Sequence, residues 1–117
     1  MKSKVIVYER VTSVYYGVTR EEVAEFEAKD SKITMAIVVF KDYRIADGEY
    51  TKIVVVAPEE MEPEKILERI VYAEQVSDPI ELMEEINKII PLAGSNYIAR
   101  KNNIEDGWWE AVVGAWF

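Results

Sequence analysis

The side chains of this chain that could carry chemistry are carboxylates, lysines, tyrosines and serines. Its 117 residues include no cysteine and no histidine. Disulfides, thiol nucleophiles, zinc sites built from Cys or His, and imidazole acid–base catalysis are therefore excluded. The usual serine triad cannot form without histidine, and the five scattered glycines make no phosphate-binding loop. The sequence thus predicts no catalytic residue and no cofactor.

A divalent metal bound by carboxylates is the form of catalysis that this composition leaves open. Glu27 and Lys29 form a Glu-x-Lys triplet like that at the end of a metal-nuclease pattern, and Asp30 and Asp42 follow in the sequence. A triplet of this kind is common by chance, and most other carboxylates fall at helix starts or on helix surfaces. A carboxylate-dependent enzyme such as a nuclease is therefore an alternative to a non-enzymatic role.

The negative charge is concentrated in the middle of the chain. The formal net charge is −8, and residues 58–95 contain ten Asp or Glu against three Lys or Arg. This excess repels the phosphates of duplex nucleic acid. It forms either a solvated helix surface or a docking patch for a basic protein partner. The predicted patch consists of Glu64, Glu68, Glu81, Glu84 and Glu85.

The first third of the chain predicts a strand followed by a helix. Residues 4–16 are rich in β-branched and aromatic side chains, as a strand favours, and Gly17 breaks the run. Thr19 and Glu22 have the spacing of a helix capping box. A helix is therefore predicted from Thr19 to about Lys29.

A β-hairpin is predicted around Asp47 and Gly48. An apolar strand begins at Ile33, and a valine-rich strand from Glu49 to Ala57 returns after the turn. Asp-Gly between two strands favours a two-residue turn. Such a turn pairs Ala46 with Glu49, Ile45 with Tyr50, Tyr43 with Lys52 and Val39 with Val56.

Two helices follow. Pro63 suits the first position of a helix that runs to about Val76. Asp78 then provides a cap for a second helix, which begins at Pro79 and ends near Ile90. Two short strands, at residues 97–100 and 108–117, complete the chain.

Half of the chain is hydrophobic and 31% is charged, which predicts a folded globular protein. The predicted strands and helices place residues 1–117 in one α+β domain. The fold is a mainly antiparallel sheet of about five strands with three helices, in the order βαββααββ. Part of this order matches that of ferredoxin-like folds. We expect a cytoplasmic protein without a signal peptide or membrane span. A single glutamine and no Asn-Gly pair favour a thermophilic source.

The predicted strands are apolar on both sides, and three helices of ordinary length are enough to cover one face of the sheet. Either the helices divide over both faces, or the uncovered face meets a second copy of the chain. We expect the second arrangement, most simply a two-fold homodimer. Trp108 and Trp116 on the last predicted strand either complete the edge of the core or lie in the interface with the second copy. The predicted interface residues are Trp108, Val112 and Trp116 on the last strand and Tyr43, Ile45 and Tyr50 near the hairpin tip.

Two further binding functions remain open. The uncovered face of the sheet, or the interface between two copies, could hold a small molecule. At the hairpin tip the predicted turn places Lys41 and Lys52 on one face with Tyr43, Ile45 and Tyr50. Aromatic side chains among cations can stack the bases of single-stranded nucleic acid. A solvated hairpin end is the alternative for the same residues.

Overall fold

A computed structural model describes residues 3–13, 16–28, 35–42, 48–89, 96–101 and 109–116. The fold class is α+β, as predicted. The strands are β1 (Ser3–Ser13), β2 (Val18–Ala28), β3 (Met35–Asp42), β4 (Gly48–Pro58), β5 (Asn96–Lys101) and β6 (Trp109–Trp116). A 3-10 turn (Glu59–Met61) and two helices, α1 (Pro63–Val76) and α2 (Pro79–Ile89), lie between β4 and β5.

The six strands form one sheet in the order β2-β1-β4-β3-β6-β5, and every pairing is antiparallel. Consecutive strands pair as three hairpins placed side by side. The predicted relation to ferredoxin-like folds is wrong, because the element after β1 is a strand. Among the described elements the order is ββββααββ, which lacks the first βαβ unit of that topology.

The helix predicted from Thr19 to Lys29 is instead strand β2. It pairs with β1 along its whole length, from Ser13 opposite Val18 to Ser3 opposite Ala28. Gly17 lies in the intervening turn with a φ of 64°, a conformation that favours glycine. The local capping signal is overridden because β1 offers a full row of backbone hydrogen-bonding groups on this side.

The predicted hairpin of β3 and β4 forms, but with a different register. Val39 pairs with Ile53 and not Val56, Tyr50 pairs with Asp42 and not Ile45, and Lys52 pairs with Phe40 and not Tyr43. The predicted pair of Ala46 with Glu49 lies outside the described residues.

Burial explains this register. Directly opposed residues of an antiparallel pair share a face, and both Val39 and Ile53 are fully buried. The predicted pairing would have set Val39 against Val56, which lies on the other face. Both faces of β4 carry valines, so the apolar pattern did not reveal the error.

Gly48 begins β4 and is not one of two tight-turn residues as predicted. Its position is dictated by packing, because a Cβ there would collide with the backbone carbonyl oxygen of Thr12 on β1. Glycine at this position therefore allows the first residue of β4 to approach β1 closely.

Both predicted helices are confirmed. Pro63 occupies the start of α1. Asp78 caps α2, since its Oδ1 accepts a hydrogen bond of 2.8 Å from the backbone N–H of Glu81. The strands predicted near residues 97–100 and 108–117 are β5 and β6.

The core lies between the helices and one face of the sheet. The buried sheet residues alternate along each strand, as expected for a strand covered on one side. They are Ile6 and Tyr8 on β1, Met35, Ile37 and Val39 on β3, and Ile53, Val55 and Ala57 on β4. The helices contribute Ile66, Leu67, Ile70, Ala73, Leu82 and Ile86.

Candidate functional site

We call the sheet face opposite the helices the open face. It is apolar over much of its area. Two rows of neighbouring residues cross β2, β1, β4 and β3 in register, and each row contains only apolar side chains. The first row is Ala24, Val7, Val54 and Val38; the second is Phe26, Val5, Val56 and Ala36. Most of these side chains are half-buried by their neighbours, whereas Phe26 is 57% exposed.

The other end of the open face is polar but balanced in charge. Its described charged side chains are Glu9, Glu22, Arg20 and Lys52, two of each sign. The hydroxyl of Tyr50 donates a hydrogen bond of 2.6 Å to Glu9. Burial, together with this bond, raises the pKa of Tyr50 to about 12.

Tyr50 is the one predicted interface residue whose side chain the structure describes. It lies half-buried on the open face, and its ring contacts that of Phe40 edge-on at a centroid distance of 6.0 Å. Tyr43, Ile45 and Trp108 lie outside the described residues.

The backbone register of β6 relates two further predicted interface residues to the sheet. Val112 pairs with Val38, which belongs to the open face, so its position extends the first apolar row. Trp116 pairs with Met35, which belongs to the helix-covered face, and the register shifts between Met35 and Ile37. The two predicted interface residues of β6 therefore pair with residues on opposite faces of the sheet.

The prediction that Lys41 and Lys52 share one face of the hairpin is wrong. Lys41 does not share a side with Lys52, because it lies buried beneath the helices in contact with Glu74. The proposed platform for single-stranded nucleic acid therefore loses one of its cations.

The predicted acidic docking patch is partly neutralised by cations of the same chain. Lys4 donates a hydrogen bond of 3.0 Å to Glu64, and Glu85 accepts bonds from Arg69 at 2.7 Å and Lys88 at 3.2 Å. The pKa of Glu64 is lowered by its own backbone N–H and by Lys4, and that of Glu85 by Arg69 and Lys88. The other three members of the patch, Glu68, Glu81 and Glu84, are exposed.

A buried charge cluster, which the sequence did not predict, joins α1 to the sheet. Arg10, Thr51 and Lys41 lie side by side across β1, β4 and β3 on the helix-covered face. Glu74 reaches them from α1 with a fully buried side chain. We define the cluster as these four residues, with Glu49 and Tyr8 at its edge.

Hydrogen bonds engage the charged groups of the cluster with one another. Arg10 Nη2 donates to both carboxylate oxygens of Glu74, at 2.8 and 3.0 Å, and Lys41 Nζ contacts the same carboxylate. Arg10 also donates to Thr51 Oγ1 at 3.3 Å, and Glu49 lies 3.4 Å from Arg10 and 3.7 Å from Lys41. Two cations therefore meet two carboxylates.

The electrostatics of the cluster favour its charged state. Burial lowers the pKa of Arg10, but the hydrogen bonds and charge of Glu74 outweigh that effect and the net pKa is raised. At the edge, the Tyr8 hydroxyl accepts from Arg10 at 3.4 Å and donates to Glu21 at 2.9 Å. Burial raises the pKa of Tyr8, the bond from Arg10 lowers it, and the bond to Glu21 raises it further, so the net shift is upward.

The arrangement of the cluster suits a structural role. Its charges are satisfied within the chain and lie under α1, so they fix where that helix docks on the sheet. A signal for it was present in the sequence: Arg10 and Lys41 interrupt the buried alternation of their strands, and Glu74 follows Ile66 and Ile70 on the apolar stripe of α1.

The metal-site alternative has no geometric support in the part of the chain that the structure describes. There, no group of three or more carboxylates is placed to hold a metal ion. Glu27 lies exposed on β2, whereas Lys29 and Asp30 fall outside the described residues.

Comparison with protein-family models, curated proteins and solved structures gave no significant match. Among the described residues, neither helix has the length and apolar character needed to cross a bilayer.

Proposed function

We propose that this protein is a cytoplasmic, non-catalytic interaction domain that forms a two-fold homodimer through its open face. The observation that carries the proposal is the pair of apolar rows on β2, β1, β4 and β3, on the side of the sheet away from both helices. Apolar side chains on both faces of a sheet favour burial on both faces, and the helices supply only one cover.

The size of the open face supports a second copy as its cover. Six strands of about eight residues, spaced about 4.8 Å apart and rising about 3.3 Å per residue, span an area of about 750 Å². A stable protein interface buries about 800 Å² on each partner. One sheet face packed on another thus has the dimensions that a specific dimer needs.

Charge also favours association through this face. Most of the acidic excess lies in residues 58–95, which include both helices, so approach of two helical layers is repulsive. The open face carries two acidic and two basic described side chains and has no net charge from them. Two copies that meet there keep their acidic layers on the outside of the dimer.

The proposal predicts a stability that depends on protein concentration. If unfolding dissociates the dimer, a hundredfold increase in concentration stabilises it by about 2.7 kcal/mol. For two chains of this size that shift raises the Tm by roughly 5 °C. Thermal unfolding followed by circular dichroism at two such concentrations tests this, and a Tm that stays constant would count against the dimer.

A further inference from the structure

A groove between β2 and α1 lies on the helical side of the sheet, apart from the open face. Its volume is about 320 Å³, and its lining includes Tyr8, Val23, Leu67, Val71 and Tyr72. Val23 is 58% exposed and Tyr72 68% exposed, so large apolar surfaces remain in water. Such a groove can bury an apolar side chain of a partner.

The strand that borders this groove is an edge strand. β2 ends the strand order and pairs only with β1 among the described strands. Every second residue of an edge strand directs its backbone N–H and C=O outward, where an added strand can bind them. An extended peptide laid along β2 would gain these hydrogen bonds and place alternate side chains over the groove.

The charges of β2 are mostly negative. On the groove side Val23 lies between Glu21 and Glu25, and the strand also carries Glu22 and Glu27 against a single cation, Arg20. Opposite charges favour cross-strand pairing, whereas like charges oppose it. A second copy pairing its own β2 antiparallel about Val23 would set Glu21 against Glu25 twice, which disfavours self-pairing here.

We propose that the β2 edge and the adjoining groove bind an extended basic segment of a partner protein. Residues two apart on a strand share a face, so the segment carries a large apolar residue opposite Val23 and Lys or Arg two positions to either side. The recognised pattern is Lys/Arg-x-apolar-x-Lys/Arg. This site is separate from the open face, so its occupancy does not depend on the proposed dimer.

Fluorescence anisotropy with labelled peptides tests the proposal on the full chain. A peptide with the core Lys-Thr-Trp-Thr-Lys is expected to bind, and to weaken as salt is raised. Peptides with the core Glu-Thr-Trp-Thr-Glu or Lys-Thr-Ala-Thr-Lys are expected to bind at least tenfold more weakly. Equal binding of all three peptides would overturn the proposal.

Two matched variants locate the site. Val23→Ser is expected to weaken binding of the Lys-Thr-Trp-Thr-Lys peptide at least tenfold. Ile80→Ser changes an exposed apolar residue on α2, outside both the groove and the open face, and is expected to leave binding unchanged. Equal loss in both variants would overturn the assignment to the groove. High-salt oligomers larger than a dimer that disappear with Val23→Ser would show a second copy on this edge, and would also overturn it.

Discussion

Replacing Glu74 by glutamine is expected to lower the free energy of unfolding by about 3–5 kcal/mol. The change removes a fully buried carboxylate that Arg10 and Lys41 share, and leaves two buried cations beside Glu49, which lies 3.4 Å from Arg10 and 3.7 Å from Lys41. Removing one partner of a buried ion pair carries a cost of this size because the remaining charge is desolvated and uncompensated. Urea denaturation at one fixed protein concentration measures the effect.

Glu68→Gln is the matched control for this variant. Glu68 lies on the same helix but is exposed, so its replacement is expected to change stability by no more than about 0.5 kcal/mol. Lys41→Met combined with Glu74→Gln should cost less than the two single changes together, since it also removes one of the two cations that share the Glu74 carboxylate. Equal small effects of Glu74→Gln and Glu68→Gln would contradict the role assigned to the cluster.

The second large effect is expected for Phe26→Ser, which should weaken the proposed dimer about a thousandfold. Phe26 is 57% exposed in the single chain and lies at the end of an apolar row of the open face. An aromatic side chain buried at an interface contributes about 2 kcal/mol when it is truncated, and a two-fold dimer loses two copies. About 4 kcal/mol corresponds to a change in Kd of about a thousandfold.

Val23→Ser is the control, because Val23 is 58% exposed on the other face of the same strand. Sedimentation velocity over a range of concentrations should show dissociation of the Phe26→Ser protein and no change for Val23→Ser. Circular dichroism should show that both variants keep the fold. Identical association of the two variants would place the interface elsewhere.

The cluster and the open face are connected through the position of α1. The row of Arg10, Thr51 and Lys41 marks one face of the sheet as the face on which Glu74 can dock. Because valines line both faces of β4, apolar burial alone discriminates weakly between them. We expect the buried charges to supply that discrimination, which would leave the other face for the proposed dimer.

Local signals explain which parts of the fold were predictable. Pro63 and Asp78 act on their own helix termini, so α1 and α2 followed from the sequence. Strand β2 did not, because the capping signal at Thr19 and Glu22 gives way to pairing with β1. The register of β3 and β4 was missed because a Val39–Val56 pair looks as apolar as the actual Val39–Ile53 pair.

The candidate site likewise combines a feature that the sequence pattern shows with one that depends on tertiary packing. An uncovered apolar sheet face was predictable from strands that are apolar on both sides. The cluster was missed although Arg10, Lys41 and Glu74 fall at buried positions of their elements, because Glu74 in the sequence resembles the many surface carboxylates of the helical region. Only the packing of α1 on the sheet brings it to Arg10 and Lys41.

The most direct test of the central claim, that the open face is covered by a second copy, is the mass of the native protein in solution. Size-exclusion chromatography with multi-angle light scattering at micromolar concentration should give twice the chain mass of 13.5 kDa. A stable, folded species of 13.5 kDa under these conditions would contradict the dimer and leave the apolar rows of the open face without the cover proposed for them.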